Sequence, residues 1–144
     1  MKLALYDDYN LGVITGQSII DVSSVLNDID FHTPQEMMEI VISDWDKLGP
    51  QIEHETKRNQ GVPLNNVRLL PPLPKPGQIV CLAGNYLEPD SPERDEFNAF
   101  LKSTSSVIGH KDTVELPSAN ATVFHFEPEL AVVIGKKASH LSQS

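Results

Sequence analysis

Gly61-Val62-Pro63-Leu64-Asn65-Asn66-Val67-Arg68-Leu69-Leu70-Pro71-Pro72-Leu73-Pro74-Lys75-Pro76-Gly77 divides the chain. It holds five of the 11 prolines, and proline fixes φ and lacks an amide donor, so the stretch reads as extended rather than helical. Patterning differs on its two sides, which predicts a small N-terminal α+β domain over residues 1–70 and a second, mainly β domain over residues 71–144.

Upstream, Lys2–Tyr6, Leu11–Thr15 and Ser18–Val22 are short apolar runs separated by turn-forming Asp7-Asp8-Tyr9-Asn10 and Gly16-Gln17, which predicts a β-meander. Thr33-Pro34-Gln35-Glu36 has capping-box spacing with proline at the first helical position. Met37, Ile40, Val41, Trp45, Leu48 and Ile52 follow at helical intervals, with Trp45 and the two methionines expected in the core. Gly49-Pro50 is expected to break or kink this helix, leaving Glu53 to Gln60 as a frayed end.

Downstream, Gln78–Ala83 reads as an apolar strand that stops at Gly84-Asn85-Tyr86, and residues 87–98 read as a charged loop. Ala99–Lys102, Ser106–Ile108, Thr113–Leu116 and Leu130–Ile134 are expected strands, with residues 131–135 expected to be buried. Ser139 to Ser144 reads as the approach to another element. Few strands are then available to the second domain. A partial sheet exposes its edges, so the expectation is a truncated chain, or strands supplied by another chain.

A net charge of −9 over 144 residues argues against nucleic acid and anionic membrane surfaces as partners. No apolar run approaches the roughly 18 residues that span a bilayer, and the N-terminus turns polar too early for a signal peptide. The expectation is a cytoplasmic protein. One cysteine, Cys81, permits no internal disulfide; its apolar neighbours predict a buried structural thiol.

Of the residues that carry chemistry, His125-Phe126-Glu127-Pro128-Glu129 stands out. On a strand, His125, Glu127 and Glu129 share one face and Phe126 takes the other. Two close carboxylates repel unless a cation, a proton or solvent relieves them, and hard cations such as magnesium, manganese or calcium prefer oxygen ligands. A solvated edge-strand face shows the same spacing, and Pro128 suits an edge, so spacing alone does not choose. His32, His54, His110 and His140 show no ligand pair at helical spacing and read as surface or capping residues. A glycine-rich phosphate loop, a nucleophile elbow and a basic-aromatic surface are all missing from the sequence.

The order of segments adds what single motifs do not. Val67-Arg68-Leu69-Leu70-Pro71-Pro72-Leu73-Pro74 comes first, then Ile79-Val80-Cys81 with Gly84-Asn85-Tyr86. Phe100-Leu101-Lys102 with Ser106-Val107-Ile108-Gly109 follows, and Glu127-Pro128-Glu129-Leu130-Ala131-Val132-Val133-Ile134-Gly135 closes the series. This order resembles the fumarylacetoacetate hydrolase family, and the meander and helix resemble the small N-terminal domain of many members.

The resemblance implies that the second domain begins a mixed β-sandwich roll. It implies Mg2+ or Mn2+ bound by Glu127 and Glu129 together with an aspartate farther along than this chain reaches. It also implies a small 2-oxo or β-diketo acid substrate, a homodimer assembled through the roll, and hydrolysis, decarboxylation, isomerisation, hydration or lyase chemistry through a metal-stabilised enolate. Asn85, Tyr86, Lys102 and Ser105 are the substrate-binding candidates it suggests.

Hydrolytic members follow Asn-Tyr with a histidine and a glutamate that activate water; here those positions fall on Pro89 and Pro92, which cannot titrate. Glu88, Asp90, Glu93 or Lys102 is left as a substitute catalytic group. The alternative is a non-catalytic binding or structural member of the family.

Overall fold

The computed structural model describes residues 1–87 and 96–142. The three predicted N-terminal strands form: β1 (Leu3–Tyr6), β2 (Asn10–Thr15) and β3 (Ser18–Asp21). Each pairs antiparallel with the next, with Leu5 opposite Leu11 and Val13 opposite Ile20. The β1–β2 turn uses left-handed backbone at Asp7 and Tyr9, and the β2–β3 turn uses it at Gly16, where glycine carries no Cβ penalty.

The proline-rich stretch does more than connect. Val62–Pro63 forms β4 beside β3, and Leu69–Leu70 forms β5 beside β1, giving a five-stranded sheet ordered β4-β3-β2-β1-β5. Both added strands are edges, where proline costs no ladder hydrogen bond in the sheet interior. Asp7 and Arg68 lock the β5 side: the Asp7 N–H donates to the Arg68 carbonyl at 2.9 Å, and the Arg68 N–H donates to Asp7 Oδ1 at 2.8 Å.

Thr33 caps helix α1 (Pro34–Ser43) by accepting the Glu36 N–H, while Glu36 reaches back to the His32 N–H. Such a cap is worth about 1 kcal/mol. The break comes at Asp44, five residues before Gly49-Pro50. There the chain leaves helical geometry, and the Asp44 carbonyl accepts from both Lys47 and Leu48 as helix α2 (Trp45–Arg58) starts. Pro50 therefore lies inside a helix the sequence reading expected it to end. Its place early in α2 limits the loss to one hydrogen bond near the start, and burial of Leu48 and Ile52 on either side holds the helix together. Glu53 to Arg58 stays helical with a 2.7 Å Lys57–Glu53 contact one turn apart, rather than fraying.

Leu5, Leu11, Val13 and Ile20 on one sheet face pack with Met37, Met38, Val41, Leu48 and Ile52 of the helices. Ala4, Tyr6 and Ile19 point to the other face and meet Leu64, Val67 and Leu69 from the proline-rich stretch. The methionines are core residues as expected. Trp45 is not: it is 39% exposed and lies over Gly49, where an added Cβ would approach its ring to 3.0 Å.

Beyond Gly77, β6 (Ile79–Ala83) and β7 (Asn98–Lys102) form an antiparallel pair with Ile79 opposite Lys102 and Ala83 opposite Asn98. Cys81 is a free thiol, half-buried rather than buried, because only one face of β6 is covered. The other expected strands do not form among the described residues. Residues 104–106 make a short 3-10 turn seeded by Ser103, and 107–108, 113–116 and 130–134 lack strand pairing. A strand needs a ladder partner, and none of these stretches has one here. Residues 131–134, expected to be buried, are exposed for the same reason.

Arg68 and Asp112 connect the regions, with Arg68 Nη2 donating to Asp112 Oδ1 at 3.0 Å and the Gly109 N–H donating to Oδ2 at 2.7 Å. No described helix is long and apolar enough to cross a membrane.

Candidate functional site

The β6–β7 hairpin places the candidates at two ends. β6 ends at Gly84, whose φ of 62° turns the chain sharply and presents Asn85 and Tyr86 as exposed side chains. Ala83, Gly84, Glu96, Phe97 and Asn98 line a shallow concavity at this end. Asn98 was not singled out from sequence; its place opposite Ala83 becomes visible only once the register is known.

Lys102 and Ser105 lie at the other end. Four register steps separate the Ala83–Asn98 pair from the Ile79–Lys102 pair, about 14 Å along the strands. Lys102 Nζ sits 5.7 Å from the centre of the Phe100 ring. Ser105 donates its N–H to Ser103 Oγ, and the two hydroxyls meet at 2.7 Å, so Ser105 serves the turn. The hairpin therefore does not join these two candidates to Asn85 and Tyr86.

It does bring the Asn-Tyr turn to the Glu-x-Glu segment. The Leu130 N–H donates to Tyr86 Oη at 3.3 Å, across 44 residues of sequence. Glu127 and Glu129 are exposed, and neither forms an ion pair with a described lysine, arginine or histidine. The face-sharing expected for His125, Glu127 and Glu129 presumed a strand that does not form.

Oxygen donors without a competing cation suit a hard divalent ion. Among the described residues, no three His, Cys, Asp or Glu side chains group as a complete site, so the two glutamates are at most a partial ligand set. Glu88, Pro89, Asp90, Pro92 and Glu93 lie outside the described residues. Among the histidines, His32 joins the α1 cap through its backbone, His54 Nδ1 lies 3.3 Å from Glu55, and His140 Nδ1 lies 2.7 Å from Ser139 Oγ.

Comparison with known proteins extends the resemblance beyond motifs. Residues 78–144 match the fumarylacetoacetate (FAA) hydrolase C-terminal family model. The chain is 30% identical over 158 aligned positions to maleylpyruvate hydrolase of Aquipseudomonas alcaligenes, covering 98% of this chain and 55% of that protein. It is 39% identical over 84 positions to the human mitochondrial oxaloacetate tautomerase FAHD2A, covering 56% of this chain and 26% of the relative. The crystal structure of maleylpyruvate hydrolase from Sphingobium sp. SYK-6, in complex with manganese(II) and pyruvate, superposes with a TM-score of 0.68 at 32% identity. That superposition covers 83% of this chain and 43% of the solved one. The chain thus spans about half the length of these two maleylpyruvate hydrolases. Since sequence and fold agree on both sides of the proline-rich stretch, the chain belongs to the fumarylacetoacetate hydrolase family.

Proposed function

We propose that this chain forms part of a divalent-metal-dependent enzyme acting on a small 2-oxo or β-diketo acid. In this reading residues 1–70 are the small N-terminal domain, and residues 71–144 begin the catalytic β-sandwich roll. The protein works in the cytoplasm as a homodimer. The observation that carries the reading is the likeness to a structure described with manganese(II) and pyruvate, a 2-oxo acid.

Glu127 and Glu129 are the chain's own ligands for Mg2+ or Mn2+, with the remaining ligand outside the described residues. When bound, the cation supplies Lewis-acid stabilisation for negative charge developing on the substrate's carbonyl oxygen. Asn85 and Tyr86 orient the substrate through an amide and a phenol, both suited to carboxylate oxygens.

Titrating Mn2+ into the natural full-length protein by electron paramagnetic resonance tests this. Glu127→Gln is expected to weaken binding by at least about 100-fold, since it removes a charged ligand rather than an outer-shell partner. Absence of Mn2+ and Mg2+ binding in the unmodified protein overturns the reading.

Pro89 and Pro92 favour a second reading, a metal-binding member without hydrolytic activity, because neither side chain moves a proton. Hydrolysis of an acylpyruvate-type substrate, lost in Glu127→Gln, rejects it. Tautomerisation or decarboxylation without hydrolysis keeps an enzyme but confines it to chemistry that needs no activated water.

A further inference from the structure

Residues 120–138 carry the Glu-x-Glu pair yet form no strand in the structure. Among the described residues, one hydrogen bond ties this stretch to another part of the chain: the Leu130 N–H to Tyr86 Oη, at 3.3 Å. Its place matters more than its strength. Leu130 directly follows Glu129, so the bond orients the peptide unit joining the two and, with it, the backbone that carries the Glu129 side chain. Tyr86 in turn is carried by the Gly84 turn at the end of β6, which is anchored by its ladder with β7.

We propose that Tyr86 is a positioning residue for Glu129: its phenol oxygen holds the Leu130 N–H and so presets a carboxylate for a divalent cation. The inference rests on the metal reading above and deepens it, because it moves Tyr86 from contacting substrate to organising a ligand. Metal ligands are commonly oriented by hydrogen bonds one shell out. Here that bond reaches the ligand's backbone rather than its carboxylate. Tyr86 is 57% exposed and water competes for the contact, which sets the expected effect below that of an enclosed outer-shell partner.

The test compares unmodified natural full-length protein, Tyr86→Phe and Glu129→Gln in three measurements: Mn2+ affinity by electron paramagnetic resonance, pyruvate affinity in saturating Mn2+, and amide hydrogen exchange at Leu130. Tyr86→Phe keeps the ring and deletes the oxygen. It is expected to weaken Mn2+ binding by about three- to tenfold and to speed Leu130 exchange, with the thermal midpoint held within about 1 °C. Unchanged Mn2+ affinity in Tyr86→Phe, while Glu129→Gln loses binding, overturns the positioning role. Weakened pyruvate binding with intact Mn2+ affinity also overturns it and returns Tyr86 to substrate contact. A thermal midpoint that falls in step with Mn2+ affinity makes the role structural and equally overturns it. If the unmodified protein binds no Mn2+, the metal reading fails instead, and Leu130 exchange then reports whether the contact exists without a ligand role.

Discussion

Leu3-Ala4-Leu5-Tyr6 and Ala131-Val132-Val133-Ile134 are apolar runs of one kind, and they end in opposite states. Leu5 is 0% exposed, paired on both sides by β2 and β5 and covered by the helices, whereas Val132 and Ile134 are 77% and 73% exposed and pair with nothing described. Every buried apolar residue among those described lies between Ala4 and Ile52. Strand propensity expresses fit to a pleated, half-buried surface. Where neighbouring strands and a covering layer are present, the run folds into the core. Where they are not, the same composition stays uncovered.

The largest effect tests that contrast directly. Leu5→Ala removes three carbons from a fully buried site and is expected to lower unfolding free energy by about 2–5 kcal/mol. Val132→Ala is expected to change it by less than about 0.5 kcal/mol. Both are read from urea unfolding of the purified chain. A loss above 1 kcal/mol for Val132→Ala, estimated on the same surface-substitution scale, breaks the comparison by requiring a covering surface over residues 131–134.

A smaller effect separates packing from polar anchoring within the folded region. Tyr6 is buried, and its hydroxyl donates to Asp21 Oδ2 at 2.5 Å, joining β1 to the end of β3. Burial, then the hydrogen bond and charge of Asp21, hold this hydroxyl well above the ordinary tyrosine range. The folded form therefore keeps its proton where the unfolded chain, with a pKa of about 10, releases it. The stabilisation is present in full below pH ~10 and declines as pH rises beyond it. Tyr6→Phe is expected to cost about 1 kcal/mol at pH 7 and to flatten this alkaline decline. A parallel decline in both proteins between pH 9 and 11 assigns it to other groups.

Legibility follows the same division. The meander and the start of α1 were readable because their determinants are local: alternation, Gly16 in a turn, and Thr33 with Glu36 around Pro34. The helix break was misread because Gly49-Pro50 is a strong local signal, while burial of Leu48 and Ile52 holds α2 through it. β4 was hidden by its own Pro63 and β5 by the prolines that follow it, since two-residue edge pairing depends on the sheet already being there. The candidate site was legible as residue types, in Glu127, Glu129, Asn85 and Tyr86, but not as an arrangement. The period of two presumed a ladder that 125–129 lacks, and the Tyr86–Leu130 contact spans 44 residues that no spacing rule connects.

The smallest effect sits at the joint between the regions. Asp112 accepts the Gly109 N–H and the Arg68 side chain, one partner from beyond the proline-rich stretch and one from within it. The Gly109 N–H first, and then Arg68, hold the Asp112 carboxyl below the ordinary carboxylate range. Its contribution is therefore present above the unfolded value of about 3.9 and fades as pH falls through the lower folded value. Asp112→Asn keeps an oxygen for Gly109 and discards the charge facing Arg68. Because Arg68 is largely exposed, screening leaves the global unfolding midpoint within error of the parent. The expected change is local: lower amide protection at Gly109 at pH 7, matching what the parent shows only in acid. Unaltered protection places the joint in the close approach of Gly109 to the Leu69 carbonyl and the Pro71 ring, where an added Cβ would meet atoms at 3.1 and 3.3 Å. The two regions would then be held by close packing, and the charge pair would ride on an interface it does not make.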